Sequence, residues 1–335
     1  MTDKPVTIAS IMWASYLPTF FEAAENHPHV RLAMFSQKEI LSNADMLEGF
    51  FKAAEKADVL FFYWTNDEFW AEVEQRLPDM AAGKTVVTAS FDPTHWGRLS
   101  TVPMETCAKA YAYMNDGGVE NYRQLLSYLA GTVNTDIMAE DPVPLPWQGI
   151  LHPPGKEVYD TVDRYRKAFP SNGGPAVGLL FSRHSFTNSD GGLELALIEA
   201  LENEGLSVLP VFCNGTPDPE TGSLGPIGTA ERFFFDETGK SRISALVNLH
   251  FFFLGRERGE DTSETGVAAQ SVALFKKLDV PVFKPFVSYS KSAAEWEEDP
   301  QGVTADVCFG IAMPEFEGNI EPLIMACSRK IEDTV

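Results

Sequence analysis

PAVGLLFSRHSFTNSDGGLELALIEALENEGLSVLPVFC, residues 175–213, reads as strand, polar loop, helix, tight turn and strand. Residues 176–181 form a short apolar run without alternation, the pattern of a parallel strand covered on both faces. Residues 182–192 interrupt it with Arg183, His184, Ser185, Asn188, Ser189 and Asp190. From Leu193 the period changes: Leu193, Ala196, Leu197, Ala200 and Leu201 share one helical face, with Glu194, Glu199 and Glu202 opposite. Gly205 stands where a left-handed helix end is wanted, and residues 206–212 read as the next buried strand. The unit is βαβ, and its polar loop falls at the carboxyl end of the first strand. In open α/β sheets ligands bind there.

The same alternation extends along the chain. Strand-like runs at 6–11, 29–35, 58–64 and 85–91 are separated by helical patterns at 18–25, 47–54 and 67–77. Residues 107–131 are helical in two pieces, broken at Asp116-Gly117-Gly118. Further on, 243–249, 281–286 and 303–312 read as strands, and 267–278 as a helix. These patterns predict an α/β protein of two doubly wound (Rossmann- or flavodoxin-like) domains with mostly parallel sheets. Prolines 142, 144, 146, 153 and 154 remove backbone donors and fix φ, so 141–156 reads as an extended linker. It would join a first domain, 1–140 with a helical segment at 104–131, to a second, 157–335.

A length of 335 residues suits two domains, and 44% hydrophobic with 22% charged residues is ordinary globular composition. The excess of 48 acidic over 26 basic residues gives a formal charge of −22, which argues against a nucleic-acid or anionic-membrane surface. No apolar stretch reaches the roughly 20 residues that span a bilayer, and the N-terminus lacks the pattern of a secretory signal. Cys107, Cys213, Cys308 and Cys327 are scattered without metal-ligand or disulfide spacing, as for reduced thiols in the cytoplasm. No metal site is expected.

Candidate binding residues cluster at strand ends. In the loop after residue 181, Arg183 can bind a carboxylate and His184 can move protons near neutral pH, with Ser185, Asn188 and Asp190 beside them. The alternative is that Ser189 or Asp190 caps the next helix while Arg183 pairs with an acidic neighbour. Asn248 and His250 end another strand and can face the same crevice, though a histidine beside three phenylalanines also fits a structural role. Glu315 and Glu317 suit acid–base work or a metal, or simply a solvated turn. Gly83-Lys84-Thr85 is not a phosphate loop, because residue 78 is proline where that motif needs glycine. H-E-x-x-H, C-x-x-C and G-x-S-x-G are all missing, so the residues alone name no catalytic group.

An ordered set of segments resembles the N-terminal part of the cobaltochelatase large subunit (CobN type), in one family with the porphyrin-binding H subunit of magnesium chelatase. They are Ser100-Thr101-Val102-Pro103, YAYMNDGGVENYRQLLSYLAG (111–131), PVPLPWQGILHP (142–153) and PAVGLLFSRHSFTNSD (175–190), then LSVLPVFC (206–213), ALVNLHFFFLG (245–255), LFKKLDVPVFKPF (274–286) and MPEFEGNIEP (313–322). The resemblance implies a part of the large subunit that binds a corrin or porphyrin tetrapyrrole. Metal insertion would depend on ATP hydrolysis by separate AAA+ subunits, with Co²⁺ or Mg²⁺ as substrate and no tightly bound cofactor. The Ser-Thr-Val-Pro segment looks more like the cobalt branch, in cobalamin biosynthesis; a magnesium H-type subunit for chlorophyll synthesis is one alternative, a non-catalytic binding or assembly module another. Family members are much longer, and the region credited with metal chemistry lies beyond these residues. The chain alone is therefore not expected to chelate, and a separate C-terminal part of the large subunit is a further expected partner. The family loop commonly reads Arg-Ser-His, whereas this chain has Arg183-His184-Ser185, which moves the imidazole by one position.

Overall fold

A computed structural model of the chain describes residues 4–188, 191–255, 264–288, 291–302, 307–319 and 324–327. The chain divides into two compact units, Met1–Leu145 with Thr187–Ser189, and Pro146–Phe186 with Asp190–Val335. The division at 145/146 falls inside the proline-rich stretch 141–156.

The first unit runs β1 (Val6–Met12), α1 (Leu17–Ala24), β2 (Val30–Ser36), α2 (Gln37–Ser42), α3 (Ala44–Lys56), β3 (Val59–Tyr63), α4 (Trp70–Met80), β4 (Thr85–Ala89), α5 (Thr94–Leu99), α6 (Met104–Asp116) and α7 (Val119–Gly131). Its strands form a parallel sheet in the order β2-β1-β3-β4. That is a doubly wound order with its switch point between β1 and β3. Every residue of β3 is buried because helices cover both faces: one core holds Phe61 and Tyr63 with Phe20 and Leu125, the other Leu60 and Phe62 with Phe50 and Trp70. Local chemistry sets the element ends. Ser36 and Glu39 make a reciprocal capping box at α2, and Asn43 Oδ1 accepts from Asp45 N at the start of α3.

Two positions explain sequence features that periodicity alone could not. Gly117 (φ +71°) separates α6 from α7, and a Cβ there would stand 2.7 Å from Thr187 Cβ, so both backbone and space demand glycine. Lys84 Nζ donates to the carbonyls of Ala54 (2.8 Å), Glu55 (2.7 Å) and Ala57 (2.9 Å). The lysine of Gly-Lys-Thr thus closes the carboxyl end of α3, where free carbonyls and the helix dipole favour a cation.

The second unit runs β5 (Gln148–Leu151), β6 (Val158–Tyr159), α8 (Val162–Ala168), β7 (Ala176–Ser182), α9 (Arg183–Thr187), α10 (Gly192–Asn203), β8 (Ser207–Cys213), β9 (Pro217–Asp218), β10 (Ser223–Leu224), α11 (Gly225–Phe234), β11 (Ala245–Asn248), α12 (Glu264–Leu278), β12 (Val282–Phe283), β13 (Phe286–Ser288), α13 (Ala293–Glu298), α14 (Met313–Phe316) and β14 (Ile324–Cys327). Its main sheet has the order β12-β11-β7-β8-β5-β6, with β12, β11, β7 and β8 parallel and β5 and β6 added antiparallel. The fold is therefore α/β with mostly parallel sheets, and the parallel strands repeat the winding of the first unit, with the switch point between β7 and β11. Gly205 takes φ +78° at the end of α10, and β8 is buried along its whole length.

Three segments differ from the sequence reading. Residues 148–151 of the proline-rich stretch are not linker but β5, which hydrogen-bonds to β8. Residues 281–286 make two separate strand segments, parted by Lys284-Pro285, where proline withdraws a ladder donor. Of the expected strand 303–312, residues 308–312 form a π-helical turn and 303–306 lie outside the described residues. A short apolar run does not distinguish strand from buried helix.

Candidate functional site

The carboxyl edge of the second sheet gathers polar side chains from strands far apart in sequence. β7 and β11 pair with Leu180 opposite Asn248, and β11 and β12 with Val247 opposite Phe283. The pairing ends there, and Lys284, the next residue, is near enough to His250 and Glu317 for its charge to act on both. Cys213 closes β8, and His250 follows β11 by two residues. His250 Nε2 lies 3.1 Å from Cys213 Sγ, and its backbone N–H donates to Asn248 Oδ1 at 2.9 Å. That bond fixes which way the amide points. Asn248 Nδ2 then faces inward, fully buried, with no hydrogen-bond partner among the described residues.

Burial sets the charge states of this cluster. It holds the His250 imidazole down to about 3, helped by the nearby Lys284 amine and opposed by a bond to the Phe181 backbone, so the ring is neutral at physiological pH. Burial also pushes the Cys213 thiol up, which keeps it protonated and unreactive. Lys284 is lowered to about 8 because its amine is desolvated, although Glu317 attracts the cation. Burial raises the Glu317 carboxyl, while bonds from Ser271 and Leu254 and the Lys284 charge pull it back. Glu317 Oε1 accepts from Leu254 N at 3.1 Å, and Ser271 Oγ accepts from Gly255 N at 3.1 Å. Glu317 also lines an open groove of about 460 Å³ along α12, with Lys276 and Asp279.

The sequence-derived candidates divide among different environments. Asn248 and His250 do come together, and with Cys213 and Lys284, which the sequence did not single out. Arg183 is buried and donates from Nε to the Pro146 carbonyl at 2.9 Å, its guanidinium 4.2 Å above the Trp147 ring. It anchors the start of the unit through this carbonyl; the expected pairing with an acidic neighbour is not decided among the described residues. His184 is lowered to about 4 by burial alone, which leaves a neutral ring and no general acid at neutral pH. Ser185 Oγ donates to Glu194 Oε1 at 2.8 Å, tying α9 to α10. Asn188 belongs to the first unit, where its Oδ1 accepts from Tyr122 OH (2.9 Å) and its carbonyl from Thr19 Oγ1 (2.5 Å). Ser189 and Asp190 lie outside the described residues. Glu315 is exposed but Glu317 is 4% exposed, so they are neither a solvated pair nor a catalytic dyad.

Lys284 was hidden in the sequence because Phe283-Lys284-Pro285 looks like the interior of one strand. The charged residue inside an apolar run was the available signal. The first sheet's carboxyl edge carries a different chemistry, an arc of ring contacts from Tyr16 through Tyr63, Phe91 and Tyr111 to Trp96. Among the described residues no group of three or more His, Cys, Asp or Glu can hold a metal ion, and no helix is long and apolar enough to cross a membrane.

A family model described as CobN/Magnesium Chelatase matches residues 111–335. An uncharacterized protein of Methanocaldococcus jannaschii is 32% identical over 320 residues, 95% of this chain and 24% of that protein. The aerobic cobaltochelatase subunit CobN of Pseudomonas aeruginosa is 25% identical over 317 residues, 91% of this chain and 23% of that protein. The chain therefore spans about a quarter of the length of these relatives. Among solved structures, the catalytic subunit of cobaltochelatase from Mycobacterium tuberculosis superposes with a TM-score of 0.60 at 20% identity, over 98% of this chain and 25% of that one. That likeness shows a shared fold.

Proposed function

The chain belongs to the CobN/magnesium chelatase family, and from that premise we propose that it is the tetrapyrrole-handling part of a metallochelatase large subunit. In this reading the second unit's carboxyl edge receives a corrin or porphyrin ring, Co²⁺ is the metal inserted, and partner AAA+ subunits supply the work of ATP hydrolysis. The observation that carries the reading is that the family match covers the whole of the second unit, whose sheet edge gathers Asn248, His250 and Lys284. Cobalt is preferred to magnesium because the CobN relative aligns over 91% of the chain, reaching into the first unit. The Ser-Thr-Val-Pro wording is weaker support for cobalt, because Ser100 Oγ and Thr101 Oγ1 accept from Thr88 N (3.0 Å) and Val86 N (2.8 Å) and so serve the edge of β4.

Nothing in the chemistry of the cluster makes the chain a chelatase by itself. His250 and Cys213 are spent on each other, and His184 is held neutral. The residues bind and orient; metal insertion would need the remainder of a large subunit and its partners. Titration with deuteroporphyrin IX and with a soluble corrinoid, followed by ring absorbance and tryptophan fluorescence, tests the proposal. Trp147, stacked under Arg183, is a reporter inside the second unit. Saturable spectral shifts are expected for at least one ring. Absence of any shift, with a non-planar control behaving identically, would overturn it.

A further inference from the structure

Asn248 and Lys284 have an arrangement that their own unit does not use. Leu246 and Val282 pair across β11 and β12 and face the same apolar core. Two residues on, just past the last paired residues, continuation of that register would set Asn248 and Lys284 on the same side, roughly one strand spacing of 4.8 Å apart, and the charge of Lys284 does act on neighbouring His250. The Asn248 amide is spent on one side only: Oδ1 holds the His250 N–H, while Nδ2 is buried without an acceptor. An unsatisfied buried donor destabilises the fold and is expected to have a purpose. Beside it Lys284 donates no hydrogen bond among the described residues; the residue is half-buried and its amine is desolvated. Its nearest anion, Glu317, is held by Leu254 N and Ser271. His250 and Cys213, the other titratable neighbours, are neutral. Two donors without acceptors, one of them cationic, call for a ligand group with two acceptor oxygens and negative charge.

We propose that Asn248 Nδ2 and Lys284 Nζ form a carboxylate-binding subsite that recognises an acid side chain on the ring ligand. The proposal rests on the tetrapyrrole reading and specifies which part of the molecule this edge grips. The carboxylate takes one hydrogen bond from the amide and a charge-assisted one from the amine, and the ring itself stays outside the sheet edge.

The test compares deuteroporphyrin IX with its dimethyl ester, titrated into the wild-type chain and into K284M and N248L. The free acid should bind about tenfold or more tightly than the ester, since a charge-assisted hydrogen bond is lost with the ester. In K284M that preference should fall close to one, and in N248L by several-fold. Methionine keeps the length and apolar stem of Lys284, so K284M should fold; unchanged melting would confirm it, independently of how N248L fares. Equal binding of acid and ester by wild type, or a preference that survives in K284M, overturns the subsite while leaving the tetrapyrrole reading intact. If neither ring binds, the tetrapyrrole reading fails. Protection of Lys284 from acylation by benzene-1,3,5-tricarboxylate then decides the subsite alone: protection supports it, and its absence overturns it.

Discussion

His184 and His250 should make the second unit acid-labile in a window set by their burial. Both are neutral in the fold, held down to about 4 and about 3, against an ordinary value near 6.5 in the unfolded chain. Below pH 6.5 the unfolded chain therefore binds protons that the folded chain refuses, and stability falls as pH falls. Between pH 7 and pH 5 each histidine should cost about 2 kcal/mol, because the unfolded imidazole gains nearly a full proton while the folded one gains almost none. Glu317 works against this: its carboxyl is raised in the fold, so protonation there favours the folded state as pH falls. Lys284, lowered to about 8, is charged in both states throughout the window and adds no slope. Comparing urea unfolding of wild type with H250Q and H184Q at pH 7 and pH 5 separates these effects. Each substitution should remove about 2 kcal/mol of the pH dependence, whatever it does to stability at pH 7. His27 and His152, also lowered by burial, remain in every variant and cancel. If H250Q keeps the full wild-type difference between the two pH values, the imidazole is not held neutral and the account of the cluster is wrong.

Three further outcomes follow from single contacts. K84M should lower first-unit stability by about 1–2 kcal/mol, because three carbonyls at the end of α3 lose a charged donor but stay near enough to solvent to rehydrate. ATP titrated into wild type and K84M should give no saturable heat in either; a nucleotide affinity lost in K84M would reverse the structural assignment of this lysine. G117A should cost about 2–4 kcal/mol, from a left-handed backbone position and a methyl group pressed on Thr187, read as a drop in urea midpoint. Brief native iodoacetamide treatment should label exposed Cys308 and spare buried Cys107 and Cys213, as peptide mapping would show; early labelling of Cys213 would contradict its protonated, enclosed state.

Periodicity made the strand–helix alternation legible because covered parallel strands and amphipathic helices leave different spacings in one dimension. It also located the break at Gly117-Gly118 and the turn at Gly205. Side-chain partners were not legible. Arg183 was recognisable as a loop cation, but one of its acceptors is a carbonyl 37 positions earlier, on Pro146. Glu317 looked like part of a solvated acidic turn, and it is buried because the backbone of Leu254, 63 residues away, donates to it. Lys284 depended on register: only when β12 pairs with β11 does it fall beside Asn248. These are long-range facts, fixed by which strands pair, and no local pattern encodes them.

The two sheets share one winding order without recognisable sequence repetition, so the winding does not decide what either edge does. Both sheets keep buried polar atoms without partners among the described residues, Ser10 Oγ and Thr88 Oγ1 in the first and Asn248 Nδ2 in the second, and the second adds the Lys284 amine nearby. At the first, the hydroxyl of Tyr122 is committed to Asn188, and Tyr63 and Tyr16 hydrogen-bond one another, with burial raising the Tyr63 phenol well above its ordinary range. Such phenols hold neighbouring elements together and leave little for a ligand. At the second, Asn248 Nδ2 and Lys284 Nζ are donors without hydrogen-bond acceptors among the described residues. A buried donor left open costs stability whenever the site is empty, while the same amide's Oδ1 satisfies the buried His250 N–H, which a leucine would orphan. The proposed subsite therefore rests on the pairing of an open amide with a cation at the second edge, a combination that the orphaned hydroxyls of Ser10 and Thr88 do not offer.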